Sequence, residues 1–161
     1  MTDITTVNVS IVGDEGVGRR SYITRIATNE FAPIRNSASV VFTNQTEKWK
    51  FLLTTKNITP QAAIVMFDLT RMDTLISCKF YIDGLRKKFK HIPIVLVGNK
   101  SDLAGFNTDG SDNHFISYIH HIIQSFNCYY YSISTKSNYN YDLPLQYCAR
   151  ILANNHKLTF D

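Results

Sequence analysis

Apolar positions along this chain fall into two periods. Thr6–Val12, Ala62–Asp68 and Ile92–Gly98 are strand-sized, and the second and third are nearly unbroken runs of apolar residues. Runs of that length are the pattern of strands buried on both faces of a parallel sheet. Val40–Thr43 and Lys48–Thr54 are two further strands, and the polar stretch Asn44–Glu47 between them predicts a hairpin. Cys128–Ile133 predicts a last strand. Between these segments the apolar spacing becomes helical. Leu75, Ile76, Phe80, Ile82, Leu85 and Phe89 predict a helix over Met72–Phe89. Phe115, Ile116, Ile119, Ile122, Ile123 and Phe126 predict an amphipathic helix over His114–Phe126. Arg20–Thr28 and Leu143–Leu152 predict the first and last helices. Asn29–Ser39, Lys56–Pro60 and Ala104–Asn113 predict loops.

Strands alternating with helices predict an α/β fold. Its sheet should be six-stranded and mostly parallel, with one antiparallel edge strand from the hairpin and flanking helices. Ligands in such sheets bind beyond the carboxyl ends of the strands. Three turns leave those ends with polar or Gly-rich sequence: Gly13–Arg20, Asn99–Asp102 and Ser134–Lys136. All three are expected to converge on one site.

Length and composition narrow the class. The 161 residues are expected to form a single domain over 1–161. An apolar share of 44% with 19% charged residues suits a globular chain. Ala62–Phe67 and Ile92–Val97 are too short to span a membrane. Met1-Thr2-Asp3-Ile4 lacks a signal-peptide pattern, and neither end carries a lipidation motif. These features predict an intracellular protein of the cytoplasm or nucleus with no membrane anchor. A net charge of +4, spread along the chain, gives no reason to expect a nucleic-acid partner. Cys78, Cys128 and Cys148 are too far apart for a metal box or a disulfide framework and are expected as free thiols. Arg86-Lys87-Lys88 reads as a solvated helix end, favoured by the helix dipole.

The first of the three turns carries the clearest chemistry. Asn8-Val9-Ser10-Ile11-Val12 runs into Gly13-Asp14-Glu15-Gly16-Val17-Gly18-Arg19-Arg20, and a helical pattern follows. A strand, a Gly-rich turn and a helix N-terminus make a phosphate cradle. In the second turn, Asn99-Lys100-Ser101-Asp102, the Asp102 carboxylate suits the paired N–H edge of guanine, which adenine lacks. The Lys100 stem can cover a ring face, and Asn99 can brace the loops. In the third turn, Ser134-Thr135-Lys136 can offer backbone N–H groups to the guanine oxygen.

With these motifs the chain resembles the Ras-like small GTPases, and within them the Ran group. Asn99–Asp102 is similar to the family's Asn-Lys-x-Asp, and Ser134-Thr135-Lys136 to its Ser-Ala-Lys. Phe67-Asp68-Leu69-Thr70, Ile92–Gly98 and Lys136-Ser137-Asn138-Tyr139-Asn140-Tyr141 resemble Ran in particular. The resemblance implies a P-loop NTPase fold, GDP or GTP as ligand, and a nucleotide site formed by Gly13, Glu15, Gly16, Val17, Gly18, Arg19, Arg20, Asn99, Lys100, Asp102, Ser134, Thr135 and Lys136.

Several residues depart from the family pattern. The family's phosphate-neutralising Lys is Arg19, whose planar fork does not replace a compact ammonium. The family's metal-binding Ser/Thr is Arg20, and a guanidinium cannot ligate Mg²⁺. Ser21 comes one residue late and should face about 100° away on the helix. Glu15 stands where the family keeps a glycine near the terminal phosphate. The family's Asp-x-x-Gly and water-positioning Gln should follow the third strand. Here Thr54-Thr55-Lys56-Asn57-Ile58-Thr59-Pro60-Gln61 leads straight into the next strand. Gln61 reads as a polar loop residue, and both switch regions read as shortened. A truncated but active GTPase would not explain Arg19 and Arg20.

Phosphoryl transfer in this class depends on Mg²⁺ and a positioned water, so no catalytic residue is assigned and no metal is expected. Two cations at a helix N-terminus oppose its dipole by about 0.3–1 kcal/mol each. An anion should offset that: a nucleotide phosphate held without metal, or Glu15 or Asp14 folded back as an internal pair. The first reading makes the chain a guanine-nucleotide binder with a Mg-independent or very slow cycle, with nucleocytoplasmic transport as the role the resemblance implies. The second makes it a pseudoGTPase that acts, as a monomer, through protein partners.

Overall fold

The computed structural model describes residues 3–56, 58–104 and 113–160. The predicted loop Ala104–Asn113 lies almost wholly outside the described residues. The elements run β1 (Ile4–Gly13), α1 (Arg19–Thr28), β2 (Ser37–Thr43), β3 (Lys48–Thr54), β4 (Ala62–Asp68), α2 (Met72–Lys88), β5 (Ile94–Asn99), α3 (Asn113–Phe126), β6 (Tyr129–Ser132) and α4 (Leu143–Leu152). They form one six-stranded sheet in the order β2-β3-β1-β4-β5-β6. Among the five strand pairs of this sheet, β2–β3 is antiparallel and the rest are parallel.

Alternation along β4 divides the core in two. Ala62, Ile64 and Met66 face α1 and α4, where Tyr22, Ile23, Leu145 and Cys148 are buried with them. Ala63, Val65 and Phe67 face α2 and α3, against Leu75, Cys78, Ile82, Ile119 and Ile122. Successive strand residues point to opposite faces, so an unbroken apolar run fits a strand covered on both sides. In α3, Ile116 departs from the expected stripe and is exposed.

Several boundaries differ from the sequence pattern. β2 begins at Ser37, three residues into the predicted loop, because Ser37, Ala38 and Ser39 pair with Thr54, Leu53 and Leu52. On an edge strand those serines face solvent, so no apolar alternation marks them. β5 starts at Ile94, after Pro93, which has no N–H for a ladder.

The link from β3 to β4 is the unusual connection. Only seven residues separate Thr54 from Ala62, whereas a parallel crossover usually needs about a dozen or more. Register explains the economy. β3 runs beside Ile4–Ser10 of β1, and β4 beside Val9–Gly13. The end of β3 and the start of β4 thus lie at nearly one level, on either side of β1. Gln61 completes the join: its N–H donates to the Asn8 carbonyl at 2.9 Å, and its Oε1 accepts from the Asn8 N–H at 3.0 Å.

Candidate functional site

Beyond the carboxyl ends of β1, β4 and β5 lies a cavity of about 840 Å³. Its lining brings together Glu15, Gly16, Gly18, Arg19, Arg20, Asn99, Lys100, Asp102, Thr135 and Lys136. The three turns thus meet at one place. Gly13, Val17 and Ser134 do not line it and act from behind. A Cβ at Gly13 (φ 152°) would strike the Met66 carbonyl. A Cβ at Gly18 (φ 103°) would strike the Asn99 amide. Both positions combine left-handed backbone with a close approach that only glycine allows.

Asn99 is the brace between the turns. It is 3% exposed. Its Nδ2 donates to the Val17 carbonyl at 3.0 Å, which holds the Gly-rich turn. Its Oδ1 accepts from the Thr135 N–H and the Thr135 hydroxyl, each at 3.1 Å. Lys100, in the left-handed region at φ 66°, sends its ammonium to the Gly16 carbonyl at 2.8 Å and to Asp68 Oδ2 at 2.7 Å. Asp68 ends β4 and is 1% exposed. Burial pushes its carboxyl up, but the Lys100 ammonium and the Thr70 hydroxyl and amide outweigh that and hold it below its ordinary value. The Asp102 carboxylate is partly engaged, its Oδ1 accepting from the Ser134 hydroxyl at 2.7 Å.

Of the third turn's N–H groups, two are already used. The Ser134 N–H donates to the Tyr139 carbonyl at 3.0 Å and the Thr135 N–H to Asn99. Only the Lys136 N–H has no acceptor among the described residues, so of the N–H groups expected from this turn it is the one left for a ligand.

The cradle itself is differently furnished. α1 starts at Arg19 with no side-chain cap and no acidic residue in its first turn. Its first N–H groups therefore lack side-chain partners. Glu15 and Arg19 form no ion pair, and among the described residues neither Arg19 nor Arg20 lies within 4.0 Å of a carboxylate. The internal pair considered from the sequence is absent. Asp14 is turned away toward α2, where the Tyr81 hydroxyl donates to its Oδ1 at 2.9 Å. Burial raises the Tyr81 pKa, the Asp14 carboxylate adds to the rise, and the nearby Arg19 charge opposes it. Arg20 reaches the rim and donates to the Ile34 carbonyl at 3.1 Å. Ser21, expected to face elsewhere, lines the cavity, because the whole first turn of α1 opens onto it.

Four lining residues carried no motif in the sequence: Ser21, Phe31, Pro33 and Leu103. Phe31 and Pro33 belong to the stretch before β2, read as irregular and as a shortened first switch over Phe31–Ser39. Gln61 is absent from the lining. At Asn8 it stands about 16 Å down β1 from Gly13, at about 3.3 Å per residue, so it is a sheet-joining residue and not a water-positioning one. Arg86 also departs from its reading as a solvated charge. It donates to the Ile92, Phe126 and Asn127 carbonyls at 2.6, 3.3 and 3.2 Å and ties α2 to the segment entering β6. The three thiols are free and buried. Burial pushes Cys128 up to about 11 and Cys148 up to about 12. No helix among the described residues is long and apolar enough to cross a membrane.

The cavity fits a nucleotide in two respects. Its volume lies within the usual range for small-molecule sites, about 300–1,000 Å³. Its cationic glycine turn and uncapped helix suit phosphate, while the Asp102 carboxylate, held at one oxygen by Ser134, and the Lys136 N–H, without an acceptor among the described residues, stand across from them. A hard, octahedral Mg²⁺ needs oxygen ligands, and the first turn of α1 offers two guanidiniums and one neutral hydroxyl. Comparison with known families adds one finding. A model described as the Ras family matches residues 35–154, a span that includes Asn99–Asp102 and Ser134–Lys136.

Proposed function

This chain belongs to the Ras family of small GTPases, and from that premise we propose that it is a Ran-like pseudoGTPase that still takes a guanine nucleotide. In this reading it holds the phosphates without magnesium, does not turn GTP over at a useful rate, and acts through protein contacts. The observation that carries the reading is the pairing within the cavity. Base-side groups are held in place by hydrogen bonds, while Arg19 faces the same space with no carboxylate partner among the described residues.

Each residue then has a task. Asp102 accepts the guanine N–H edge, and Ser134 fixes its carboxylate. Lys100, tied to Asp68 and Gly16, lays its stem along the ring. The N–H groups of the Gly-rich turn and of α1 meet the phosphates, with Arg19 supplying charge. Arg20 closes the rim through Ile34. Hydrolysis needs charge neutralisation at the transferred phosphoryl group and a positioned water. Gln61 lies beside Asn8, midway along β1 and away from the cradle, and Glu15 brings a negative charge to the cradle, which opposes both. Partners in the Ran group read the switch segments, so shortened switches favour a different protein partner here.

Incubation with GTP in the absence of magnesium, followed by analysis of the nucleotide released on denaturation, tests the reading. About one guanine nucleotide per chain, recovered as unhydrolysed GTP, is the expected outcome. Steady phosphate release that requires magnesium would show a working GTPase and overturn it.

A further inference from the structure

Arg25 lies in the last turn of α1 and has no ion-pair partner among the described residues. Its donors go to main-chain oxygens instead. Nε donates to the Thr135 carbonyl at 2.9 Å, Nη2 to the Lys136 carbonyl at 2.8 Å, and Nη1 to the Asn29 carbonyl at 2.6 Å. The guanidinium carbon sits 5.8 Å from the centre of the Phe31 ring, within cation–π range. Phe31, Thr135 and Lys136 all line the cavity, whereas Arg25 does not. One cation outside the cavity therefore grips three parts of its wall.

The peptide unit turns that grip into an aim. A trans peptide is planar, so its C=O and the following N–H point in opposite directions. Arg25 pulls the Thr135 C=O outward, away from the cavity. The N–H of Lys136, in the same peptide unit, is thereby turned inward. Among the described residues that N–H is the turn's one donor without an acceptor, since the Ser134, Thr135 and Ser137 N–H groups are bonded to the Tyr139 carbonyl, Asn99 Oδ1 and Ser134 Oγ. A second bond from Arg25 to the Lys136 carbonyl fixes the next peptide plane as well. A lysine at this position could make one of these bonds but not the fork.

We propose that Arg25 is a positioning residue for base specificity, aiming the Lys136 N–H at the C6 oxygen of a bound guanine. The inference rests on the reading that the cavity takes a guanine nucleotide. Arg25 itself touches no ligand. It acts by fixing the orientation of a donor that the chain could otherwise rotate. Its effect should therefore be confined to recognition of the C6 substituent, leaving the Asp102 edge untouched.

The test compares the full chain with R25M and R25K, using GDP and two analogues. 6-Thio-GDP keeps the edge read by Asp102 but replaces the C6 oxygen with a poor acceptor. Inosine diphosphate keeps the oxygen but lacks the 2-amino group. Calorimetric affinities give two ratios for each protein. In R25M the preference for GDP over 6-thio-GDP should shrink by about tenfold, the value of one well-aimed hydrogen bond. The preference for GDP over inosine diphosphate should not change, and R25K should fall between R25M and the parent chain. R25K alone carries the comparison if R25M does not fold. Equal losses for all three nucleotides, or unchanged affinities throughout, would overturn the inference. A parent chain that binds no GDP would instead overturn the reading beneath it.

Discussion

On the base side of the cavity the polar side chains are already bonded to one another. Asn99 holds both the Gly-rich turn and Thr135, Ser134 holds Asp102, Asp68 holds Lys100, and Arg25 holds the Thr135–Lys136 backbone. On the phosphate side Arg19 and Glu15 face the same space without pairing, over a helix end with no cap. The first region is organised before any ligand arrives. The second keeps like charge against the positive end of α1 and is relieved only by an anion. The family match divides along the same line, since residues 35–154 contain the base-side turns and the cradle precedes them. A pre-bonded region contributes to folding as well as to binding. A charged, unpaired one contributes to binding at a cost to folding.

Substitutions can break that contrast in a graded order. The largest effect is expected at Asp102→Ala, which would remove the two charge-assisted bonds proposed to guanine, each worth about 1.5–3 kcal/mol. GDP affinity measured by calorimetry should fall about a thousandfold, with little change in melting temperature. Asn99→Ala should act on folding instead. It leaves the Val17 carbonyl and the Thr135 N–H without partners, at a cost of about 3 kcal/mol. A melting curve should show a drop of about 10 °C in a chain of this size.

Asp68→Asn should cost about 2 kcal/mol by leaving the Lys100 ammonium without its carboxylate. The sign of its pH dependence follows from the depressed carboxyl. Asp68 gains protons more readily in the unfolded chain than in the folded one. Its stabilisation is therefore complete above the unfolded carboxylate pKa and is lost as pH falls through the folded one. Denaturant unfolding from pH 7 to pH 3 should show an acid-side loss in the parent chain that is shallower in Asp68→Asn. The smallest effect is expected at Arg19→Ala. GDP affinity should fall about tenfold, the loss of one charge-assisted contact, while guanosine affinity stays level. Stability should rise slightly, by up to about 1 kcal/mol, as one cation leaves the helix N-terminus.

Much of this contrast was legible in the residue order. β3, β4 and α4 have the same limits in the structure as in the apolar pattern, and in β4 burial on two faces writes itself as an unbroken run. Asn99, Lys100 and Asp102 were findable because the motif they form sits at the end of a buried strand. Other features depend on register or on main-chain acceptors, which leave no trace in side-chain type. Nothing in the sequence indicates that β3 and β4 meet at one level of β1, and that stagger is what makes the short link between them possible. Gln61 carries the right residue type for catalysis but completes the edge of β1. Arg86 read as an ordinary helix-end charge and nothing in the pattern singled out Arg25, yet each donates to three carbonyls. The one pairing suggested by spacing, Glu15 with Arg19, is not formed, because Glu15 precedes the helix and its i,i+4 relation to Arg19 crosses a glycine turn.

The central claim is that guanidinium and main-chain N–H groups serve the phosphates in place of metal. Titration of the nucleotide-free chain with GDP, once with magnesium and once with EDTA, tests it most directly. The same dissociation constant is expected in both, within about threefold, or roughly 0.7 kcal/mol. Binding that appears only with magnesium, or tightens tenfold or more when it is added, would contradict it.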